Sequence, residues 1–131
     1  MATHREEIWV AAEPAAAWEA VSDIGALATR LVPGFVTRVE LEPGARIVTF
    51  ANGMTVREPI VAIDAVGRRL VWTAEGGSAR HYNASLQVFE GGGGGSRLVW
   101  IADFLPDEIA PRIAGAMQAG AAAMRTAFRN A

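Results

Sequence analysis

The sequence predicts an α+β fold: a curved seven-stranded antiparallel sheet around a long C-terminal helix, with two short helices between strands 1 and 2. Three observations predict it. Short runs rich in Val, Ile, Thr, Phe and Trp alternate with turn signals at Pro33-Gly34, Pro43-Gly44, Asn52-Gly53, Gly67, Gly76-Gly77 and Gly91–Gly95. From Asp107 to Asn130 the apolar residues instead recur in steps of three and four. A meander of strands cannot bury one face uncovered, and that last stretch is the only long cover the chain offers.

Thr3 to Ala11 reads as the first strand. Pro14 suits the first helical position, where a missing N–H matters least, and Ala17, Trp18, Val21 and Ile24 follow at helical spacing. A second helical piece over Ala26 to Leu31 must stop before Pro33. Strands are then predicted over Phe35–Leu41, Arg46–Ala51, Met54–Asp64, Arg69–Ala74, Arg80–Glu90 and Arg97–Phe104. Asn52-Gly53 is the sharpest hairpin signal and predicts a type I′ turn, with positive φ at both central residues. The pentaglycine is expected as a flexible hairpin loop. In the last helix Ile109, Ile113, Met117, Gly120 or Ala121, Met124 and Phe128 form the apolar stripe, with Asp107 as N-cap and Arg125 and Arg129 near the C-terminal dipole. Pro111 marks either the helix start after a preliminary turn or a small kink. The helix is thin, nine of its residues being Ala or Gly between positions 110 and 123, so a curved sheet wrapped round it leaves space unfilled.

Composition excludes more chemistry than it suggests. The 131 residues suit one domain, 1–131, and 51% apolar content supports a core. Cysteine and lysine are absent, so thiol catalysis, disulfides, lysine Schiff bases and a P-loop lysine are excluded. Two histidines, His4 and His81, rule out a multi-histidine metal centre, and no metal or cofactor is expected. Twelve Arg against fourteen acids give no basic footprint for nucleic acid. The polar N-terminus lacks the apolar run of a signal peptide, and the weakly polar run Ile113–Met124 is too short to span a bilayer, so a cytoplasmic location without a membrane span is expected.

Several stretches carry a family likeness. Ala12-Glu13-Pro14-Ala15-Ala16-Ala17-Trp18-Glu19-Ala20-Val21-Ser22-Asp23, Arg69-Leu70-Val71-Trp72, His81 to Phe89 and Val99 to Glu108 resemble the first helix, the later strands and the approach to the final helix of the START-like (SRPBCC, helix-grip) superfamily. Within it the chain most resembles small bacterial proteins of the polyketide cyclase/dehydrase branch. The resemblance implies a small apolar or amphipathic ligand, lipid-, polyketide- or steroid-like, held between the curved sheet and the last helix. It leaves the chemistry open, because this fold hosts carriers, receptors, cyclases and adaptors. A homodimer is left open.

Candidate catalytic residues are His81, Asn83 and Asp103. His81 is the only histidine in the body of the chain, the side-chain type most used as general acid or base. Asn83, Ser85 and Gln87 share its strand face, while Tyr82, Ala84, Leu86 and Val88 share the other. The polar row is either the solvent side or a ligand-orienting ladder, because a one-residue slip in the glycine loop exchanges the faces. Asp103 could accept from a ligand hydroxyl or pair with Arg57, Arg80 or His81. Arg57 and Glu58 must face opposite ways, so at most one enters a pocket; Arg57 is the candidate, and an ion pair to a neighbouring strand is the commoner fate. Phe50, Trp72 and Trp100 supply flat apolar wall, and Met117 and Met124 adaptable wall. These residues serve equally as core. The helical pair around Ala26 to Leu31 and the Pro33-Gly34 turn are expected to form part of the mouth. Four serines, none in a nucleophile-elbow setting, and no glycine fingerprint before a helix leave ligand binding as the favoured reading, with a cyclase or dehydratase and an interaction adaptor as alternatives.

Overall fold

The computed structural model describes residues 1–129; Asn130, the expected helix end, and Ala131 lie outside the described residues. The order is β1 (Ala2–Val10), α1 (Pro14–Ser22), a π-helical turn (Leu27–Leu31), β2 (Val36–Glu42), β3 (Ala45–Phe50), β4 (Thr55–Asp64), β5 (Arg69–Thr73), β6 (His81–Gly92), β7 (Gly95–Leu105) and α2 (Ala110–Arg129). The strands form one antiparallel sheet in the order β1-β7-β6-β5-β4-β3-β2, so β1 closes onto the far end of the meander. Register shifts at Val36/Arg38, Ile60/Ala62 and Glu90/Gly92 bend the strands, as an extra residue on one side of a ladder must.

Alternation decides what each strand buries. On β6 Ala84, Leu86 and Val88 point inward and Asn83, Ser85 and Gln87 outward; on β7 Leu98, Trp100, Ala102 and Phe104 point inward and Asp103 outward. The strands run into the pentaglycine until Gly92 pairs with Gly95, so the expected flexible loop is reduced to a turn at Gly93 and Gly94. That register settles which face of β6 and β7 looks inward.

The Asn52-Gly53 hairpin differs from expectation by one residue. Gly53 has φ +89°, while Asn52 is absent from the positive-φ positions, so the type I′ turn does not form. Gly53 N donates to Phe50 O and Phe50 N donates to Met54 O, each at 2.9 Å, which encloses three residues with glycine in the left-handed position. The longer loop pairs Arg46 with Glu58, where a two-residue loop would set Arg46 opposite Pro59.

Pro14 opens α1, which packs on β6 and β7 through Ala17, Ala20 and Val21. A 3-10 turn over Asp107–Ile109 precedes α2, so Pro111 falls in the first turn of α2 and needs no donor there. Asp107 is not the N-cap: it is the first residue of the 3-10 turn, whose own N-cap is Pro106 with no side-chain cap bond. Helix α2 lies along β1 and against the π-helical turn, burying Met117, Gly120, Ala121, Met124 and Phe128. A Cβ on Gly120 would stand 2.8 Å from Trp100 Cη2 and Cζ3, so this close approach of helix to indole requires glycine. Among the described residues no helix is long and apolar enough to cross a membrane.

Candidate functional site

Helix α2 meets the sheet at β1 and above Trp100, and the curved strands β3 to β6 fall away beyond it. Between them lies a cavity of about 450 Å³, within the roughly 300–1,000 Å³ typical of small-molecule sites. Val48, Val56, Leu70 and Leu86 of the sheet, Leu31 of the π-helical turn and Ile113 of α2 make most of the wall apolar. The exposed lining residues form the rim: Asn52 and Met54 of the β3–β4 turn, Gly76 to Ser78 of the β5–β6 loop, and Arg112 and Ala116 of α2. Phe35 and Phe50 meet edge to face beside it, ring centroids 5.3 Å apart. Of the region expected to form part of the mouth, Leu27, Leu31 and Val32 line the cavity as buried wall, while Pro33 and Gly34 do not line it.

Of the nine ligand-contact candidates, the structure places Phe50, Trp72, Trp100, Met117 and Met124 on the cavity wall. Arg57, His81, Asn83 and Asp103 lie on the opposite, outer face, because each alternates with an inward neighbour. There they form their own chains. The His81 Nε2–Asn83 Oδ1 contact is 2.6 Å, Asn83 Nδ2 donates to Asp103 Oδ2 at 3.1 Å, and Thr3 Oγ1 donates to Asp103 Oδ1 at 2.6 Å. Asp103 thus takes Thr3 and Asn83 as partners, rather than Arg57, Arg80 or His81. Arg57 pairs with Glu42 and, at 3.0 Å, with Glu75.

The polar groups that do line the cavity are Arg46, Glu58 and Tyr82, none of them among the candidates. Arg46 is 2% exposed and Glu58 7%. Arg46 Nε donates to Glu58 Oε1 at 2.8 Å and Nη1 donates to the Ile24 carbonyl at 3.3 Å. The guanidinium also lies 5.3 Å from the centroid of Trp72, a cation–π contact that partly replaces lost hydration. Burial pushes the Glu58 carboxyl above its ordinary range, and the Arg46 charge and hydrogen bond pull it back. Burial and the Glu58 charge push the Tyr82 phenol well up, so it is a neutral hydroxyl. The Trp100 indole N–H is buried without a partner among the described residues.

The signal for the missed pair was periodicity. Arg46 is in phase with Val48 and Phe50, and Glu58 with Val56 and Ile60. One of Arg57 and Glu58 does face inward, and it is the acid; a basic residue at the start of an apolar run reads as a boundary, which hid Arg46. Across the concave face Arg46 pairs with Glu58; Glu58 stands opposite Ala74 by the Arg57–Glu75 bridge, and Ala74 N donates to Tyr82 O. One cross-strand row thus runs Arg46, Glu58, Ala74, Tyr82, with a single methyl between two long polar side chains.

Comparison with known proteins agrees with this architecture. The XoxI protein of Bacillus cereus superposes with a TM-score of 0.86 at 20% identity, over 98% of this chain and 96% of that one. A START superfamily protein of Mycobacterium smegmatis gives 0.79 at 12%, over 98% and 97%. The di-domain aromatase/cyclase BexL gives 0.82 at 15%, over 98% of this chain and 47% of that one. These likenesses concern the fold. No curated protein matches. The sequence profile described as polyketide cyclase / dehydrase and lipid transport matches residues 1–130, nearly the full length. With the helix-grip architecture and the largely apolar cavity already in place, that match assigns the chain: it belongs to the polyketide cyclase/dehydrase and lipid transport family.

Proposed function

We propose that this protein is a single START-like domain, residues 1–131, that binds a small apolar or amphipathic molecule between the curved sheet and α2. The supporting observation is the cavity of about 450 Å³, whose wall is apolar except for one ion pair, one phenol and the rim. Phe50, Trp72, Trp100, Met117 and Met124 contact the ligand in this reading. Burying apolar ligand surface against them supplies the affinity, at about 25 cal/mol per Å² removed from water. His81, Asn83 and Asp103 do not line the cavity, so a cyclase or dehydratase built on them gains no support from their positions.

Native mass spectrometry of the purified protein, followed by thermal shift with a panel of lipids, polyketides and sterols, tests the reading. A co-purifying apolar adduct, or a melting temperature that rises with ligand concentration, is the expected result. An unadducted mass together with no shift from any compound overturns it.

A further inference from the structure

We infer that the cavity selects its ligand by charge class: its polar row takes a neutral hydroxyl-bearing apolar molecule in preference to the matching carboxylate or hydrocarbon. The inference rests on the binding reading above and concerns what the wall asks of the ligand.

Arg46 and Glu58 neutralise each other across adjacent strands, and the pair is almost fully buried. A ligand carboxylate beside it would place two anions against one cation at a nearly fully buried pair, where an uncompensated charge is costly. A pure hydrocarbon would leave the free valences of the row unmet. Those valences are specific. Arg46 uses Nε and Nη1 for protein partners, which leaves Nη2 as donor; Glu58 uses Oε1, which leaves Oε2 as acceptor. The Tyr82 hydroxyl makes no side-chain hydrogen bond among the described residues and is held neutral, so it donates as well as accepts.

The spacing fits the same occupant. Glu58 and Tyr82 stand two strands apart, roughly 10 Å between backbones at about 4.8 Å per strand. Ala74 lies between them and contributes only a methyl. A group the size of a hydroxyl can sit over Ala74, donate to Glu58 and accept from Tyr82 or Arg46. The flat walls of Trp72, Phe50 and Trp100 then hold the apolar body.

The test uses three probes of one skeleton: 2-naphthol, naphthalene and 2-naphthoate, titrated into the full chain at pH 7 and read by tryptophan fluorescence. In the unsubstituted protein 2-naphthol should bind about tenfold or more tighter than either of the others, the effect of a hydrogen bond to a charged partner. Glu58→Gln keeps the shape and removes the negative charge, leaving Arg46 without its counterion, so the order should change to favour 2-naphthoate. Tyr82→Phe keeps the ion pair and should weaken 2-naphthol about threefold or more while leaving naphthalene unchanged. It serves if Glu58→Gln does not fold. Equal binding of 2-naphthol and naphthalene, or tightest binding of 2-naphthoate, by the unsubstituted protein overturns the charge selection and leaves the cavity reading standing. Failure of all three probes to bind counts against the cavity reading and overturns the selection with it.

Discussion

Arg57 and Glu58 are chain neighbours on β4, yet they obey opposite rules. Arg57 points outward and shares two acids, Glu42 and Glu75, in water. Glu58 points inward and meets one base, Arg46, almost without water. The outer cluster has more partners and matters less, because solvent already satisfies each of its charges. The inner pair has fewer charged partners and matters more, because among the described residues each member is the other's only opposite charge and little solvent reaches either. Counting ion pairs would rank them the wrong way round.

The largest expected effect follows from that contrast. Glu58→Ala leaves Arg46 buried and unpaired and should lower unfolding free energy by about 3–5 kcal/mol in urea titration. Arg57→Ala should leave the urea midpoint nearly unmoved. The double change Arg46→Met with Glu58→Leu should restore the loss, since apolar replacement of a buried pair is often neutral or stabilising by about 1–4 kcal/mol. Equal midpoints for Glu58→Ala and Arg57→Ala would erase the distinction between the two sites.

Next in size is Gly120→Leu. Its first side-chain carbon already has no room beside Trp100, so helix or indole must move. Overpacking of this kind typically costs about 1–3 kcal/mol, and the same variant should weaken 2-naphthol binding. A neutral stability result would mean that α2 stands further from β7 than described.

A smaller effect lies in pH. Burial raises the folded pKa of Glu58 above its ordinary 4.5. The native chain therefore holds this proton more tightly than the unfolded chain does. The stabilising contribution is complete below pH 4.5 and is lost as pH rises through the folded pKa. The melting temperature of the unsubstituted protein should thus fall relative to Glu58→Gln as pH rises above 4.5. The opposite trend would make Arg46, not burial, the dominant influence on this carboxyl.

The smallest effect belongs to the outer face. Asp103→Asn exchanges one acceptor for a weaker one in a chain that, among the described residues, joins Thr3, Asn83 and His81. Affinity for 2-naphthol should be unchanged, and a clear loss would link that face to the cavity.

The fold was legible because its signals are local. Pro14, the glycine turns and the change of period at Asp107 mark every element, and the thin helix foretold the unfilled interior. The flat and flexible wall residues were legible too, since Phe50, Trp72, Trp100, Met117 and Met124 sit on apolar faces whichever neighbour they have. What stayed hidden depended on register. Whether Arg57 or Glu58 enters is decided by one residue in the Asn52-Gly53 loop, and Asn-Gly reads more naturally as the shorter turn. His81, Asn83 and Asp103 are chemistry-bearing types, but alternation with Tyr82, Ala84 and Phe104 puts them on the outer face. A buried arginine is rare enough that Arg46 passed as a strand boundary.

Ala74 has a consequence for how such a protein diversifies. It is the shortest side chain in a row of long ones, and it rests on backbone that pairs on both sides. Lengthening it to serine or valine would trim the headroom for whatever sits there, atom by atom, while sparing the aromatic flanks. Tuning among guests of graded bulk could therefore proceed at a single locus, without rebuilding the chamber.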